Sequence, residues 1–134
     1  MAGISYGGDL AVTYAVFSQR VERIYSSGSL GSFSVVFSRC YNAPAHGIPG
    51  VLKWMDRSDI AGLNAPRFQR LHYGELDTPG PDNNSASYNE TVDLSLDELR
   101  NIYSAFGGDE RVTLKVTRGS HHEMDVSDLK VFLA

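Results

Sequence analysis

The chain has little of what would mark a disulfide scaffold, a nucleic-acid binder or a membrane span. Its one cysteine, Cys40, leaves no partner for an intramolecular disulfide. Cys40 lies in an apolar alternating stretch, where a reduced thiol packs as a small hydrophobe. Twelve Lys and Arg against sixteen Asp and Glu give a net charge of −4, and the cations form no run. Duplex binding draws its affinity from clustered cations, so nucleic acid is not an expected partner. No apolar run reaches the roughly 18 residues of a membrane span. Residues 1–9 lack a basic start followed by an apolar core, so no signal peptide is read and the expected location is cytoplasmic.

Motifs of cofactor and nucleophile chemistry are not assigned either: no nucleophile elbow, Walker loop, dinucleotide fingerprint, zinc-binding helix or paired Cys-x-x-Cys. The expectation is no cofactor and no metal. Gly28-Ser29-Leu30-Gly31-Ser32 is rich in glycine but leads into an expected strand, so it has no helix N-terminus to hold a phosphate.

What is present is a folded composition, 42% hydrophobic and 21% charged, in a length that suits one domain spanning residues 1–134. Residues 95–108 carry helix signals. Ser95 and Glu98 have capping-box spacing, Leu96, Leu99, Ile102, Tyr103 and Phe106 share a face, and Gly107 provides a left-handed stop. Elsewhere the pattern reads as strand and turn. Period-two alternation places strands at residues 10–17, 33–38, 51–55, 68–76, 112–117 and 129–133, with a short one at 88–94. These add up to a mostly β fold, a single-domain antiparallel β-sandwich with one short α-helix in the C-terminal third.

Candidate functional residues follow from that fold. Arg70, His72 and Tyr73 lie on the expected fourth strand, which an antiparallel sheet would leave wet on one face. Tyr41, His46 and Tyr88 border loops, where aromatic faces and fixed donors recognise polar ligands. Trp54 alternates with apolar neighbours and is expected in the core. His121, His122, Glu123 and Asp125 form the densest polar cluster. Adjacent histidines diverge on extended backbone, so this cluster is expected to be a solvated, dispensable hairpin tip without a metal.

With no catalytic set assigned, the expected function is a non-catalytic, lectin-like module that binds a saccharide or another small polar ligand through its loops. An alternative is a structural, self-assembling or protein-interaction subunit, since exposed sheet edges favour homo-oligomers. A second alternative is a small enzyme using His72 or His121 and His122.

Overall fold

The computed structural model of the chain describes residues 1–38, 48–77 and 88–134. It is an α/β fold, and the β-sandwich expectation is wrong. Four strands, β1 (Ala2–Ile4), β2 (Arg23–Ser27), β3 (Phe68–Gly74) and β4 (Val112–Thr117), form one sheet in the order β1-β2-β3-β4. All three pairings are parallel. Parallel neighbours need crossovers, and helices supply them: α1 (Tyr6–Phe17), α2 (Phe33–Ser38), α3 (Arg57–Gly62) and α4 (Val92–Ser104), with α5 (Val126–Leu133) after the last strand.

The register defines two sheet faces. Ile24 pairs with Gln69 and Gln69 with Val112, while Ser26 pairs with Leu71 and Leu71 with Leu114. This face packs on α1, α3 and α4 through a core of Val12, Ala15, Ile24, Ala61, Leu71, Leu96, Leu99, Tyr103 and Val112. Gln69 is buried there, and its amide donates to the Ala61 carbonyl and to the Tyr103 hydroxyl. The opposite face carries Tyr25, Ser27, Arg70 and His72 and is covered by α5. Phe132 of α5 meets the Tyr25 ring, and Arg70 pairs with Asp128 at 3.0 Å. The sheet is therefore covered on both sides, and the wet face expected on β3 does not exist.

Five expected strands are helical for identifiable reasons. In α1, Gly8, Ala11, Val12 and Ala15 are buried at helical spacing. Leu10, Tyr14 and Phe17 are exposed apolar residues on its outer side. Apolar groups all round imitate a doubly covered strand. The segment at 33–38 begins as helix α2 because Ser32 Oγ accepts from Ser34 N–H and Asp56 Oδ1 accepts from Phe33 N–H. Asp56 also caps α3 in a capping box with Asp59. Residues 51–53 form a 3-10 turn, and Trp54 beside it is 85% exposed, contrary to its expected burial. The last segment is α5, capped by Asp125, whose side chain accepts from Asp128 N–H. The short strand expected at 88–94 is a 3-10 turn leading into α4.

The one expected helix exists but starts earlier. Ser95 lies inside α4 and is buried, Thr91 stands at the N-cap, and Glu98 accepts from Ser58 Oγ, so the Ser95–Glu98 box is not formed. Leu99 and Tyr103 are fully buried as expected, whereas Phe106 is exposed. Gly107 has φ +65°, the left-handed stop that its position implied.

Candidate active site

A parallel sheet gathers its strand carboxyl ends at one edge, where α/β proteins place their ligands. At that edge β1 runs into α1 through Gly3-Ile4-Ser5-Tyr6-Gly7, which is a G-x-S-x-G string. The absence of a nucleophile elbow expected from the sequence is therefore wrong. Ser5 sits at the strand-to-helix turn with φ 55° and ψ −128°. Among the described residues it alone of the non-glycines has positive φ. Such a conformation is strained and persists where the surroundings hold it. Here Ser5 N–H donates to the Ser27 carbonyl at 2.8 Å, and its own carbonyl accepts from Gly8 N–H at 2.9 Å. A Cβ on Gly3 would come 2.0 Å from the Gly7 carbonyl oxygen, so the tight turn requires glycine there. Ser5 itself is exposed.

The turn after β3 carries Asp77 and the loop after β4 carries His122. Nδ1 of His122 lies 2.9 Å from Asp77 Oδ2. The two loops are joined by backbone: Leu76 N–H donates to the Ser120 carbonyl at 2.8 Å and Glu75 N–H to the Thr117 carbonyl at 2.9 Å. A Cβ on Gly74 would stand 2.1 Å from the His121 carbonyl oxygen, so the contact is backbone on backbone. Gly28, with φ +57°, closes the arrangement. A Cβ there would lie 2.7 Å from His122 Cε1 and 2.9 Å from Asp77 Oδ2. It directly follows Ser27, whose carbonyl holds Ser5.

Serine, aspartate and histidine thus occur in that chain order, at the ends of β1, β3 and β4. This is the order and placement of the hydrolase triad built on a G-x-S-x-G elbow. The fold is similar to part of several solved esterase structures. The chain superposes on a carbohydrate esterase family 15 glucuronoyl esterase from Caldicellulosiruptor kristjansonii with a TM-score of 0.71 at 20% identity, covering 98% of this chain and 41% of that one. It matches a methylesterase with a TM-score of 0.68 at 19% identity, covering 97% of this chain and 27% of the other. A glucuronoyl esterase from Solibacter usitatus gives 0.68 at 17% identity, covering 98% and 40%. The chain therefore spans about two fifths of the length of the glucuronoyl esterases it resembles. No family model matches the sequence, and no curated protein matches it.

These findings overturn the expectation of a lectin-like, non-catalytic module. The cluster at residues 121–125 is not a hairpin tip: it follows a parallel strand and leads into α5, and His122 bonds Asp77. Among the described residues no group of His, Cys, Asp and Glu is arranged to hold a metal, and no helix is long and apolar enough to cross a membrane.

The other candidate residues fall in several places. His72 is fully buried and hydrogen-bonded on both ring nitrogens. Tyr73 is buried in a second cluster with Phe33, Val51 and Val92. Arg70 docks α5 through Asp128. Tyr41, His46 and Cys40 lie outside the described residues, and Tyr88 opens the 3-10 turn Tyr88–Thr91. Ser5 and Asp77 were missed by sequence reasoning, although the five-residue string around Ser5 was legible. Beside the elbow, Tyr6, Leu10, Leu30, Phe33 and Ile60 help line a pocket of ≈ 220 Å³ that the Asp9–Arg57 ion pair also borders.

Proposed function

We propose that the chain carries the catalytic strand ends of a serine hydrolase that cleaves carboxylic esters, with Ser5 as nucleophile, His122 as general base and Asp77 as its orienting acid. The observation that carries this reading is the His122–Asp77 hydrogen bond at the same sheet edge as a strained, exposed G-x-S-x-G serine. Ser5 Oγ attacks the ester carbonyl carbon and passes its proton to His122 Nε2, the ring nitrogen away from Asp77. The negative oxygen of the tetrahedral intermediate faces the N-terminus of α1, where the motif offers the N–H of Tyr6. Collapse expels the alcohol, which takes the proton from His122 and leaves an acyl group on Ser5. Water then attacks with His122 as base, releasing the carboxylic acid and returning the proton to Ser5. Asp77 accepts from Nδ1–H and holds the ring in position.

The substrate class proposed is a saccharide-type ester, an inference from the glucuronoyl esterases and the methylesterase among the structural neighbours. The pocket beside the elbow offers apolar walls to the group flanking the ester. The test is hydrolysis of the methyl ester of glucuronic acid beside p-nitrophenyl acetate, with Ser5→Ala as control. Turnover of the sugar ester that vanishes in Ser5→Ala supports both reaction and substrate class. Turnover of p-nitrophenyl acetate alone overturns the saccharide class, and turnover that persists in Ser5→Ala overturns the mechanism.

A further inference from the structure

Behind the triad lies a second histidine that the reaction does not touch. His72, fully buried on β3, has Nδ1 2.7 Å from Ser27 Oγ of β2 and Nε2 3.0 Å from Thr117 Oγ1 at the end of β4. Thr117 Oγ1 donates in turn to Asp125 Oδ2 at 2.8 Å. The Tyr25 ring stacks on the imidazole, with centroids 5.8 Å apart.

The directions of these bonds are fixed by the carboxylate. Asp125 is held well below the usual carboxylate range by the Ser127 hydroxyl, the Asp128 N–H and the Thr117 hydroxyl, so it only accepts. Thr117 spends its one proton on Asp125 and can only accept from His72 Nε2–H. His72 Nδ1 then carries the lone pair and accepts from Ser27 O–H. A single tautomer satisfies every member, and a satisfied buried network rigidifies what it connects. Burial favours the same neutral ring by lowering the His72 pKa.

What it connects is the site. Ser27 uses its carbonyl to hold Ser5 N–H, and the next residue, Gly28, packs on both His122 and Asp77. The Ser27 hydroxyl also lies 3.4 Å from the Glu123 carbonyl, next to His122. Thr117 and Asp125 bracket the loop that carries His122. We propose that His72 is a positioning residue, which through Ser27 on one side and Thr117–Asp125 on the other sets the loop of His122 against the nucleophile turn. This rests on the serine hydrolase reading of the site.

The test breaks the chain at Thr117, which stands outside the proposed triad. Thr117→Val keeps the shape and removes the hydroxyl, and Thr117→Ser keeps the hydroxyl. The readouts are kcat and KM for ester hydrolysis, and the ring N–H signal of His122 in a ¹⁵N-histidine-labelled sample. Thr117→Val is expected to lower kcat tenfold or more with KM within twofold, and to shift or broaden the His122 signal. Thr117→Ser is expected to restore kcat to within threefold. A Thr117→Val protein of lowered melting temperature with unchanged kcat and ring signal overturns the proposal, as does a Thr117→Ser protein no better than Thr117→Val. The ring signal is read whether or not the protein turns over. Absence of Ser5-dependent turnover therefore overturns the hydrolase reading, while the signal still decides the positioning role.

Discussion

His122 Nδ1 and Asp77 Oδ2 stand 2.9 Å apart across 45 residues of sequence. The aspartate side chain is mostly covered while the histidine is about half-exposed. On the serine hydrolase reading proposed above, an acid in that setting would orient the ring and stabilise the imidazolium formed when Ser5 gives up its proton. Asp77→Asn keeps the shape but presents an amide, which can hold the ring in the wrong tautomer. The expected result is a fall in kcat of roughly 10²–10⁴-fold with KM little changed, by analogy with serine proteases. Steady-state kinetics on a purified Asp77→Asn protein check it, and a loss under tenfold would remove Asp77 from the triad.

Gly28 lies where a side chain has no room. Gly28→Ala puts a methyl 2.7 Å from the His122 ring at a position with φ +57°. Backbone strain and the displaced ring act together. The variant is expected to fold with reduced stability and to lose at least tenfold in kcat. Gly7→Ala, whose Cβ meets nothing within 4 Å, provides the matched control and is expected to keep most of the stability. Equal thermal midpoints for Gly28→Ala and the parent chain would contradict the packing described.

Stability should decline in acid in two stages. Burial keeps the His72 pKa below its ordinary value, with Lys115 adding to the shift and Asp125, Asp128 and Asp77 opposing it. The unfolded chain then binds the proton first as pH falls below about 6.5. Stability from this source is full above that pH and is lost as pH drops toward the lowered folded value. Asp125 is also depressed, so its contribution is present above about pH 4 and is lost on further acidification. Urea midpoints measured between pH 7.5 and 3 should show both limbs, and His72→Gln should flatten the upper one. An upper limb of the same slope in His72→Gln would assign it to other groups.

Asp56 serves two helices at once. Its carboxylate accepts from Phe33 N–H and the Ser32 hydroxyl at the start of α2 and from Arg57 N–H at the start of α3. Asp56→Ala should cost about 2 kcal/mol, the upper end for one cap. Leu99→Ala, which empties a fully buried site in the main core, should cost about 2–5 kcal/mol. Ser95→Ala, in contrast, removes no cap. Chemical denaturation ranks the three, and a Ser95→Ala effect larger than that of Asp56→Ala would reverse the capping assignment.

The sequence was legible where local pattern and burial agree. Strands β3 and β4 and the buried face of α4 were read near their true places, because their apolar residues fall at strand and helix periods. Strand β2 was hidden because a doubly covered strand ending in Tyr25-Ser26-Ser27 reads as turn. Its serines are buried nonetheless, with Ser27 bonding His72. Helix α1 was hidden because Leu10, Tyr14 and Phe17 place apolar groups on its outer side. Parallel pairing is a tertiary fact that no single strand announces. The Ser5 motif was plain in the letters but needed a strand before it and a helix after it to mean anything. Asp77 had no signal short of the fold.

The proposed hydrolase chemistry requires that Ser5 be a nucleophile activated by His122 and Asp77. Reaction of the protein with a fluorophosphonate, followed by intact-mass and peptide mapping, tests it most directly. The result expected is one adduct, on Ser5, formed at least a hundredfold more slowly in His122→Ala. No adduct on Ser5, or an adduct whose rate is unchanged in His122→Ala, would contradict it.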